Sequence, residues 1–304
     1  MTQADKWSDY WVNEGSSGEV FVSGDGDKHP YLASYWQTQF SGLTPTSSII
    51  DLASGAGSIF SHLPEDHSYQ LCGADLSMDA LQLLRRRLPA TRVVTCSVAQ
   101  LPFPNRHFDL VVSQFGIEYA GLDAFTEAAN LVASKGRFVI LCHHEDGYID
   151  QKNKGYLAGA EKVVETGFID KAIDMVKAIF SEQKERFRTA QSTFIPAERQ
   201  VSSMVKRHEG GVHSHLYTGF RQLFERRQHY DAVDITSWLE AMRLDVDKNI
   251  VRLNQMCHAA CSEDQIKQVC RQISRLGLSK VGYSPFTIPD SKLPVAWSIT
   301  AQRP

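Results

Sequence analysis

Short apolar runs alternate with amphipathic stretches through the first half of the chain. The runs have the length of buried strands, and the stretches between them repeat their apolar residues at helical spacing. We expect strands near 48–53, 69–74, 92–96, 108–113 and 136–142, and helices near 78–88 and 122–133. Helices that alternate with short apolar strands predict a mostly parallel α/β sheet covered on both faces.

After residue 147 the strand pattern nearly disappears and helical periodicity takes over. Ile169, Ile173, Val176 and Phe180 form one amphipathic stripe. Further helices are expected across 196–208, 214–229, 235–245 and 262–276. The chain then returns to strand patterns at 283–288 and 295–300, joined by a Pro-Asp turn.

The turn after the first expected strand is rich in glycine. Asp51 follows two isoleucines, and residues 52–57 are Leu-Ala-Ser-Gly-Ala-Gly. Glycine is needed where a strand turns tightly into a helix or where the backbone approaches a ligand. The next strand ends in Asp75, where a carboxylate can bind the two hydroxyls of a ribose. Together these features predict a site for an adenosine-containing cofactor.

Two later segments indicate which cofactor this is. Residues 101–109, LPFPNRHFD, precede the strand at 110–113, and Ala-Ser-Lys-Gly-Arg at 133–137 opens the strand that ends at Cys142. In this order and spacing, residues 49–142 resemble the class I methyltransferases that use S-adenosylmethionine (SAM). More narrowly, they resemble the ubiquinone and menaquinone biosynthesis methyltransferases. The resemblance implies SAM as the cofactor and a Rossmann-like, doubly wound, mostly parallel seven-stranded sheet.

That fold divides the chain into a core, an insertion and a leading segment. The SAM-binding core is expected at 46–146 and 277–304, because the fold ends with a strand pair of which one member is antiparallel. The helical stretch 147–276 is then a large insertion before the last two strands, and we expect it to cap the acceptor pocket. Residues 1–45 carry eight tryptophan, tyrosine and phenylalanine residues.

The aromatic leading segment has two interpretations. Packing of the aromatic rings into the core is the default for an amphipathic helix. The resemblance adds a second interpretation, in which the segment is a flap that closes on the cofactor. Its expected contacts are then Tyr10, Trp11, His29 and Tyr31.

The resemblance also implies which residues hold the cofactor. The glycine loop would bind the amino-acid end, Asp75 and Leu76 the ribose, and Ser97 and Val98 the adenine. The loop residues concerned are Asp51, Ala53, Ser54, Gly55 and Gly57. The alternative is that Asp51 only stabilises the loop. The chain departs from the family pattern at Ala53, at Ser97 and in the 133–136 turn, where one of two glycines remains.

Candidate catalytic residues follow the fourth and fifth strands. Gln114 and Tyr119, with Glu118 between them, lie where this fold meets the transferred methyl group, and Gln114 is also a candidate cofactor contact. His143 and His144 follow the fifth strand, and a histidine there can deprotonate an acceptor near neutral pH. The alternative is a strand-end histidine satisfied by backbone groups. The Asn/Asp-Pro-Pro-aromatic motif of nucleic-acid amino-methyltransferases is missing, which argues against DNA or RNA bases as acceptors.

Three features of the helical stretch have ordinary explanations. His213 and His215 resemble metal ligands, but no carboxylate or cysteine pattern accompanies them, and we expect a solvated loop and no metal site. Cys257 and Cys261 are one helical turn apart, which suits a buried helix face better than a reactive thiol pair. Arginines around Arg221 either clamp a substrate carboxylate or coat a helix, and the second is commoner.

Charge and cysteine content limit the partners and the compartment. The net charge is -3, so no nucleic-acid footprint or anionic membrane partner is expected, and the oligomeric state stays open. No leader or membrane-spanning run is recognisable, and scattered cysteines indicate a reducing cytoplasm. The sequence therefore predicts a SAM-dependent methyltransferase acting on an O, N or S nucleophile of a small metabolite. A catalytically silent SAM-binding or S-adenosylhomocysteine-binding (SAH-binding) protein is the alternative, and an NAD-dependent oxidoreductase is disfavoured by the order of the motifs.

Overall fold

The seven expected strands form one sheet. A computed structural model describes residues 29–181, 183–289 and 291–304, so the predicted contacts Tyr10 and Trp11 lie outside the described residues. The strands are β1 (Ser48–Leu52), β2 (Gln70–Asp75), β3 (Arg92–Thr95), β4 (Phe108–Gln114), β5 (Val132–His143), β6 (Ser279–Phe286) and β7 (Ala296–Gln302). Their order in the sheet is β3-β2-β1-β4-β5-β7-β6.

The strand directions confirm the predicted fold. β1 to β5 run parallel to one another, and β7 runs antiparallel to both β5 and β6. The order runs outward from β1 in one direction and from β4 in the other. The carboxyl ends of β1 and β4 therefore flank the switch point at which open α/β sheets bind ligands.

Three helices alternate with the first five strands or precede them, and the others follow β5 and precede β6 along the chain. The helices are α1 (Pro30–Phe40), α2 (Met78–Arg87), α3 (Asp123–Asn130), α4 (Tyr148–Thr166), α5 (Phe168–Phe180), α6 (Lys184–Arg207), α7 (Gly211–Glu225), α8 (Ala232–Ala259) and α9 (Glu263–Arg275). Within the described ranges, none of them is long and apolar enough to cross a membrane.

The two faces of the sheet pack against different helices. Residues that alternate along each strand divide between the faces, as Ile49 and Ile50 do. One face packs against the buried sides of α3 and α9. The other packs against α1 and α2, and α1 contributes three fully or almost fully buried residues one turn apart: Leu32, Trp36 and Phe40. Trp36 and Phe40 thus pack in the core, as the default interpretation of the aromatic segment expects, whereas Tyr31 on the same helix is exposed.

The chain divides into two compact units at positions that differ from the expected boundaries. The first comprises residues up to Ile149 and from Ala259 to Pro304, and the second comprises Asp150–His258. The sequence-based boundary at 276 placed α9 in the insertion. Instead, α9 packs against α3 and β6 and buries Ile266, Val269 and Ile273 in the sheet core. The second unit has its own helical core, in which the rings of Phe168, Phe194 and Phe220 pack against one another.

β5 begins earlier than predicted. It starts at Val132, and its pairing with β4 shifts register before Arg137. The expected turn at 133–136 is therefore an irregularity inside the strand. A Cβ atom on Gly136 would lie 2.9 Å from the carbonyl oxygen of Ala133 and 3.0 Å from that of Phe108, so this glycine leaves room for two backbone segments.

Candidate active site at the switch point

The glycine loop after β1 has a backbone that only small residues accept. Ala53, Gly55 and Gly57 have φ angles of 53°, 52° and 84°, in the left-handed region. A Cβ atom on Gly57 would lie 2.4 Å from Cδ1 of Leu84, a fully buried residue of α2. The loop therefore packs directly against α2, and Ala53 adopts a conformation that glycine would adopt without strain.

Two further glycines, which the sequence analysis did not single out, make room for the loop. A Cβ atom on Gly73 in β2 would lie 3.0 Å from Oγ of Ser54. One on Gly116, after β4, would lie 2.5 Å from Cβ of Ala53. A glycine inside an apolar strand pattern marks a close backbone approach, which is the sequence feature that points to Gly73.

Asp75 ties the loop to the start of α2. Its Oδ2 accepts a hydrogen bond from the backbone nitrogen of Gly55 at 2.8 Å, and its Oδ1 accepts one from that of Ser77 at 2.8 Å. Burial raises the pKa of this carboxyl, and the backbone hydrogen bonds oppose the shift. The backbone nitrogen of Leu76 contributes a further hydrogen bond, and the carboxylate still retains acceptor capacity for a ligand hydroxyl.

Asp51 is a buried carboxyl with an unsatisfied oxygen. It is 1 % exposed, and its Oδ1 has no hydrogen-bond partner among the described residues. The buried Oγ of Ser54 likewise has none in that part of the chain. Burial, and secondarily the nearby Asp75 carboxylate, raises the pKa of Asp51 well above its ordinary value. Such a site favours a ligand that brings positive charge and hydrogen-bond donors.

The residues predicted beside the adenine and the ribose have varied exposure. Val98 packs in the sheet core, while Ser97 is exposed and its Oγ accepts a hydrogen bond from the backbone nitrogen of Ala99 at 3.2 Å. Leu76 is half-buried between Asp75 and the residue that caps α2. Tyr31 lies on α1 with 42 % of its surface exposed. Contacts from these residues to a cofactor stay predictions.

Gln114, at the end of β4, joins three segments. Its Nε2 donates to Oγ of Ser58, just beyond the glycine loop, at 3.0 Å, and its Oε1 accepts from the indole nitrogen of Trp36 on α1. Both ends of the side-chain amide are thus engaged. Its contacts place Gln114 between the loop and α1, with one N–H left for another partner.

Glu118 and His143 form a buried pair that the sequence did not reveal. Oε1 of Glu118 lies 2.6 Å from Nδ1 of His143 and accepts a hydrogen bond from its backbone nitrogen at 2.9 Å. The side chains are 0 % and 1 % exposed. Ring centroids of Phe115 and Tyr119 lie 4.9 and 5.9 Å from that of the imidazole. Glu118 was noted only for its hydrogen-bonding capacity, and its burial inside an apolar segment was the available clue.

His144 faces a different environment, because successive strand residues point to opposite sides of a sheet. Its ring stacks on Trp297 with centroids 4.1 Å apart, and its Nδ1 lies 2.5 Å from the carbonyl oxygen of Glu145. Of the two predicted histidines, the structure brings His143 and not His144 together with Glu118 and Tyr119.

The candidates in the second unit have structural surroundings. His213 lies on α7, so the expected solvated loop was wrong, and its Nε2 is 2.9 Å from the carbonyl oxygen of His208. The described part of the chain contains no group of three or more histidine, cysteine or acidic residues placed to hold a metal. Arg221 pairs with Glu225 on an exposed helix face at 3.1 Å, which agrees with its ordinary interpretation.

Comparison with known families finds a match to the part of the chain that contains the glycine loop. Residues 50–140 match the family described as a methyltransferase domain. This segment is therefore similar in sequence to methyltransferase domains. It lies within the first unit and carries the glycine loop, Asp75, Gln114 and Glu118, while His143 follows it directly.

Similarity to individual methyltransferases is partial. The ubiquinone/menaquinone biosynthesis C-methyltransferase of Shewanella oneidensis is 31% identical over 108 residues, which are 32% of this chain and 43% of that protein. The chain thus matches less than half the length of the curated relative.

The similar solved structures are more distant. A protein from Pyrococcus horikoshii is 18% identical, with a TM-score of 0.39 over 48% of this chain and 66% of its own. The geranyl diphosphate C-methyltransferase of Streptomyces coelicolor, solved with SAH, is 17% identical, with a TM-score of 0.38 over 47% of this chain and 65% of its own.

Proposed function

We propose that this chain is a SAM-dependent methyltransferase that transfers a methyl group to an O, N or S nucleophile of a small molecule. The observation that carries the proposal is the buried carboxyl of Asp51, with its unsatisfied Oδ1, beside the glycine loop of a methyltransferase domain. SAM supplies a methyl group on a cationic sulfonium, together with an ammonium group and a ribose diol.

The residues of the loop fit these groups. Asp51 and the Oγ of Ser54 offer hydrogen-bond acceptors to the ammonium group, and the negative charge of the carboxylate attracts its positive charge. Asp75 retains lone pairs for the ribose hydroxyls, and the positive φ angles of Gly55 and Gly57 allow the backbone to approach the ligand. In our proposal Ser97, Val98 and Leu76 border the adenosine.

The acceptor would lie beyond the ends of β4 and β5. In our proposal Gln114, Tyr119 and His143 border that position, and their polar groups orient a small molecule. The curated relative is named a C-methyltransferase, so carbon joins oxygen, nitrogen and sulfur as an atom to test.

The test compares the melting temperature of the chain in the presence of SAM, SAH or NAD with its melting temperature without a ligand. A ligand at 100 times its dissociation constant stabilises a fold by about 2.7 kcal/mol. We expect SAM and SAH to raise the melting temperature and NAD to leave it unchanged. Asp51→Asn should lose the shift, whereas the matched change Asp66→Asn at an exposed position should keep it.

Turnover is tested separately by SAH release with a panel of phenols, amines, thiols and activated carbon acids. Stabilisation by SAM without SAH release from any of them would favour the silent binding protein. No stabilisation by SAM or SAH would overturn the proposed function.

A further inference from the structure

The Glu118–His143 pair carries two buried polar atoms with no partner in the described ranges. These are Oε2 of Glu118 and Nε2 of His143. A buried polar group without a partner destabilises a fold unless something else satisfies it. The two atoms belong to side chains that are hydrogen-bonded to each other, near the carboxyl ends of β4 and β5. Their position therefore points to a bound ligand.

The backbone that carries Glu118 is strained. Phe115 has a φ of 53°, which is unfavourable for an aromatic residue, and its nitrogen donates to the carbonyl oxygen of Leu141 at 2.8 Å. This bend turns the chain into the short 3₁₀ segment Ile117–Ala120 and so brings Glu118 to the end of β5. Strain of this kind persists mainly at functional sites.

The pairing decides which ring nitrogen is available. An ionised carboxylate can only accept hydrogen bonds, so neutral His143 must carry its proton on Nδ1, 2.6 Å from Glu118. Nε2 is then a bare lone pair. Oε1 of Glu118 also accepts a hydrogen bond from the backbone nitrogen of His143, and this second bond fixes the carboxylate in place.

We propose that Glu118 is a positioning residue that holds His143 with Nε2 ready to take a proton, and that the acceptor bears a proton on its methylated atom. This inference rests on the proposed function. It selects hydroxyl, amine, thiol or carbon-acid acceptors and excludes a thioether, which has no proton to lose.

The step balances without another reactant. The acceptor's electron pair forms the bond to the methyl carbon while the methyl–sulfur bond breaks and its electrons stay on sulfur. The acceptor's proton moves to Nε2 of His143. The resulting imidazolium is stabilised by the carboxylate of Glu118, and the proton later passes to water. The Phe115 and Tyr119 rings border the imidazole and limit the access of water to it.

The test uses the full chain labelled with ¹⁵N-histidine, without ligand, at pH 8. Long-range ¹H–¹⁵N correlation spectra distinguish a protonated ring nitrogen from a bare one. The signals of His143 among the 11 histidines are identified by their loss in His143→Gln, with His107→Gln at an exposed position as the matched control. We expect a protonated Nδ1 and a bare Nε2, and a protonated Nε2 would overturn the inference.

A second comparison separates positioning from simple packing. Glu118→Gln keeps the shape and one oxygen acceptor but removes the charge, and Glu145→Gln is the matched change at an exposed site. At pH 8 we expect the tautomer of His143 with its proton on Nδ1 to be less populated in Glu118→Gln than in the unaltered chain, because a neutral amide oxygen is a weaker acceptor than a carboxylate. Glu145→Gln should show no change. Equal tautomer populations in all three proteins would contradict the assigned role, and if Glu118→Gln fails to fold, the pH 8 spectrum of the unaltered chain decides.

Cofactor binding is measured independently by calorimetric titration with SAH. Failure of SAH to bind would remove the proposed function but leave the tautomer result readable. SAH binding together with a protonated Nε2 would retain the proposed function and reject the role of Glu118. SAH release from a thioether alone, in the panel extended by one thioether, would also reject it.

Discussion

Asp75 accepts a hydrogen bond from the backbone nitrogen of Gly55 at 2.8 Å, across 20 residues of sequence. The contact joins the end of β2 to the turn that follows β1. The shape of the glycine loop therefore depends on the carboxylate that the proposed function assigns to the ribose. In the proposed function, ribose binding and the geometry of the loop are therefore coupled through this one side chain.

The loop geometry predicts different effects for two glycines that share a positive φ. Gly57→Ala would place Cβ against buried Leu84, whereas a Cβ atom on Gly42 meets nothing within 4 Å. Left-handed backbone costs an alanine about 1 kcal/mol, and overpacking adds about 1–3 kcal/mol. We expect Gly57→Ala to lose about 2–4 kcal/mol in denaturant unfolding and to lose SAH binding. Gly42→Ala should lose about 1 kcal/mol and keep SAH binding, and equal losses would contradict the packing argument.

Ionisation of Asp51 in the folded, ligand-free chain is expected to lower the free energy of unfolding. Burial raises the pKa of this carboxyl, so the folded chain favours its protonated form. The contribution of the protonated carboxyl to stability is fully present below the unfolded pKa of about 3.9 and is lost as the pH rises through the folded pKa. We expect Asp51→Asn to unfold at a higher temperature than the unaltered chain at pH 8, with the difference shrinking toward pH 4. A lower melting temperature for Asp51→Asn at pH 8 would show that Asp51 stabilises the loop by itself.

Much of the fold follows from local pattern, and the limits of that pattern are physical. Buried parallel strands leave continuous apolar runs, so β1 to β4 begin and end within a residue or so of the expected positions. The apolar face of α9 was equally visible, but amphipathicity does not tell which partner covers the face. The sequence therefore assigned α9 to the wrong unit.

The site was only half visible for a similar reason. The glycine loop, Asp75 and His143 lie in local motifs. The partner of His143 lies 25 residues earlier, and the two meet only through the pairing of β4 with β5 and the bend at Phe115. Local sequence holds no record of that pairing. The alternation of strand residues separates His143 from His144, but local spacing does not give which of the two meets Glu118.

The hydrogen bonds of Arg303, just after the last strand, are expected to stabilise the fold. Its guanidinium donates to the carbonyl oxygens of Ala129, Val132 and Leu276 at 3.0, 2.7 and 3.1 Å, and the residue is buried. Arg303→Ala would leave these carbonyls without their donor, and we expect a loss of about 2–4 kcal/mol in denaturant unfolding. Arg271→Ala, at an exposed position, should change stability by less than about 0.5 kcal/mol. Similar losses of stability in both variants would show that the hydrogen bonds of Arg303 do not stabilise the fold.

The buried ring of His213 is expected to make the stability of the second unit depend on pH. Burial lowers the pKa of His213, and the hydrogen bond between its Nε2 and the carbonyl oxygen of His208 opposes this shift. A lowered pKa contributes stability above the unfolded value of about 6.5 and loses it as the pH falls below that value. Between pH 7.5 and 5.5 we expect the melting temperature to fall less in His213→Gln than in the unaltered chain. Exposed His215→Gln is the control and should follow the unaltered chain.

The most direct test of the account is calorimetric titration of SAH into the full chain at pH 7.5, beside NAD. We predict saturable binding of SAH at one site per chain, no binding of NAD, and at least tenfold weaker binding of SAH to Asp51→Asn, since about 1.4 kcal/mol corresponds to a factor of ten. A folded chain that binds NAD and not SAH, or that binds SAH equally well with Asp51→Asn, would contradict the proposed cofactor site.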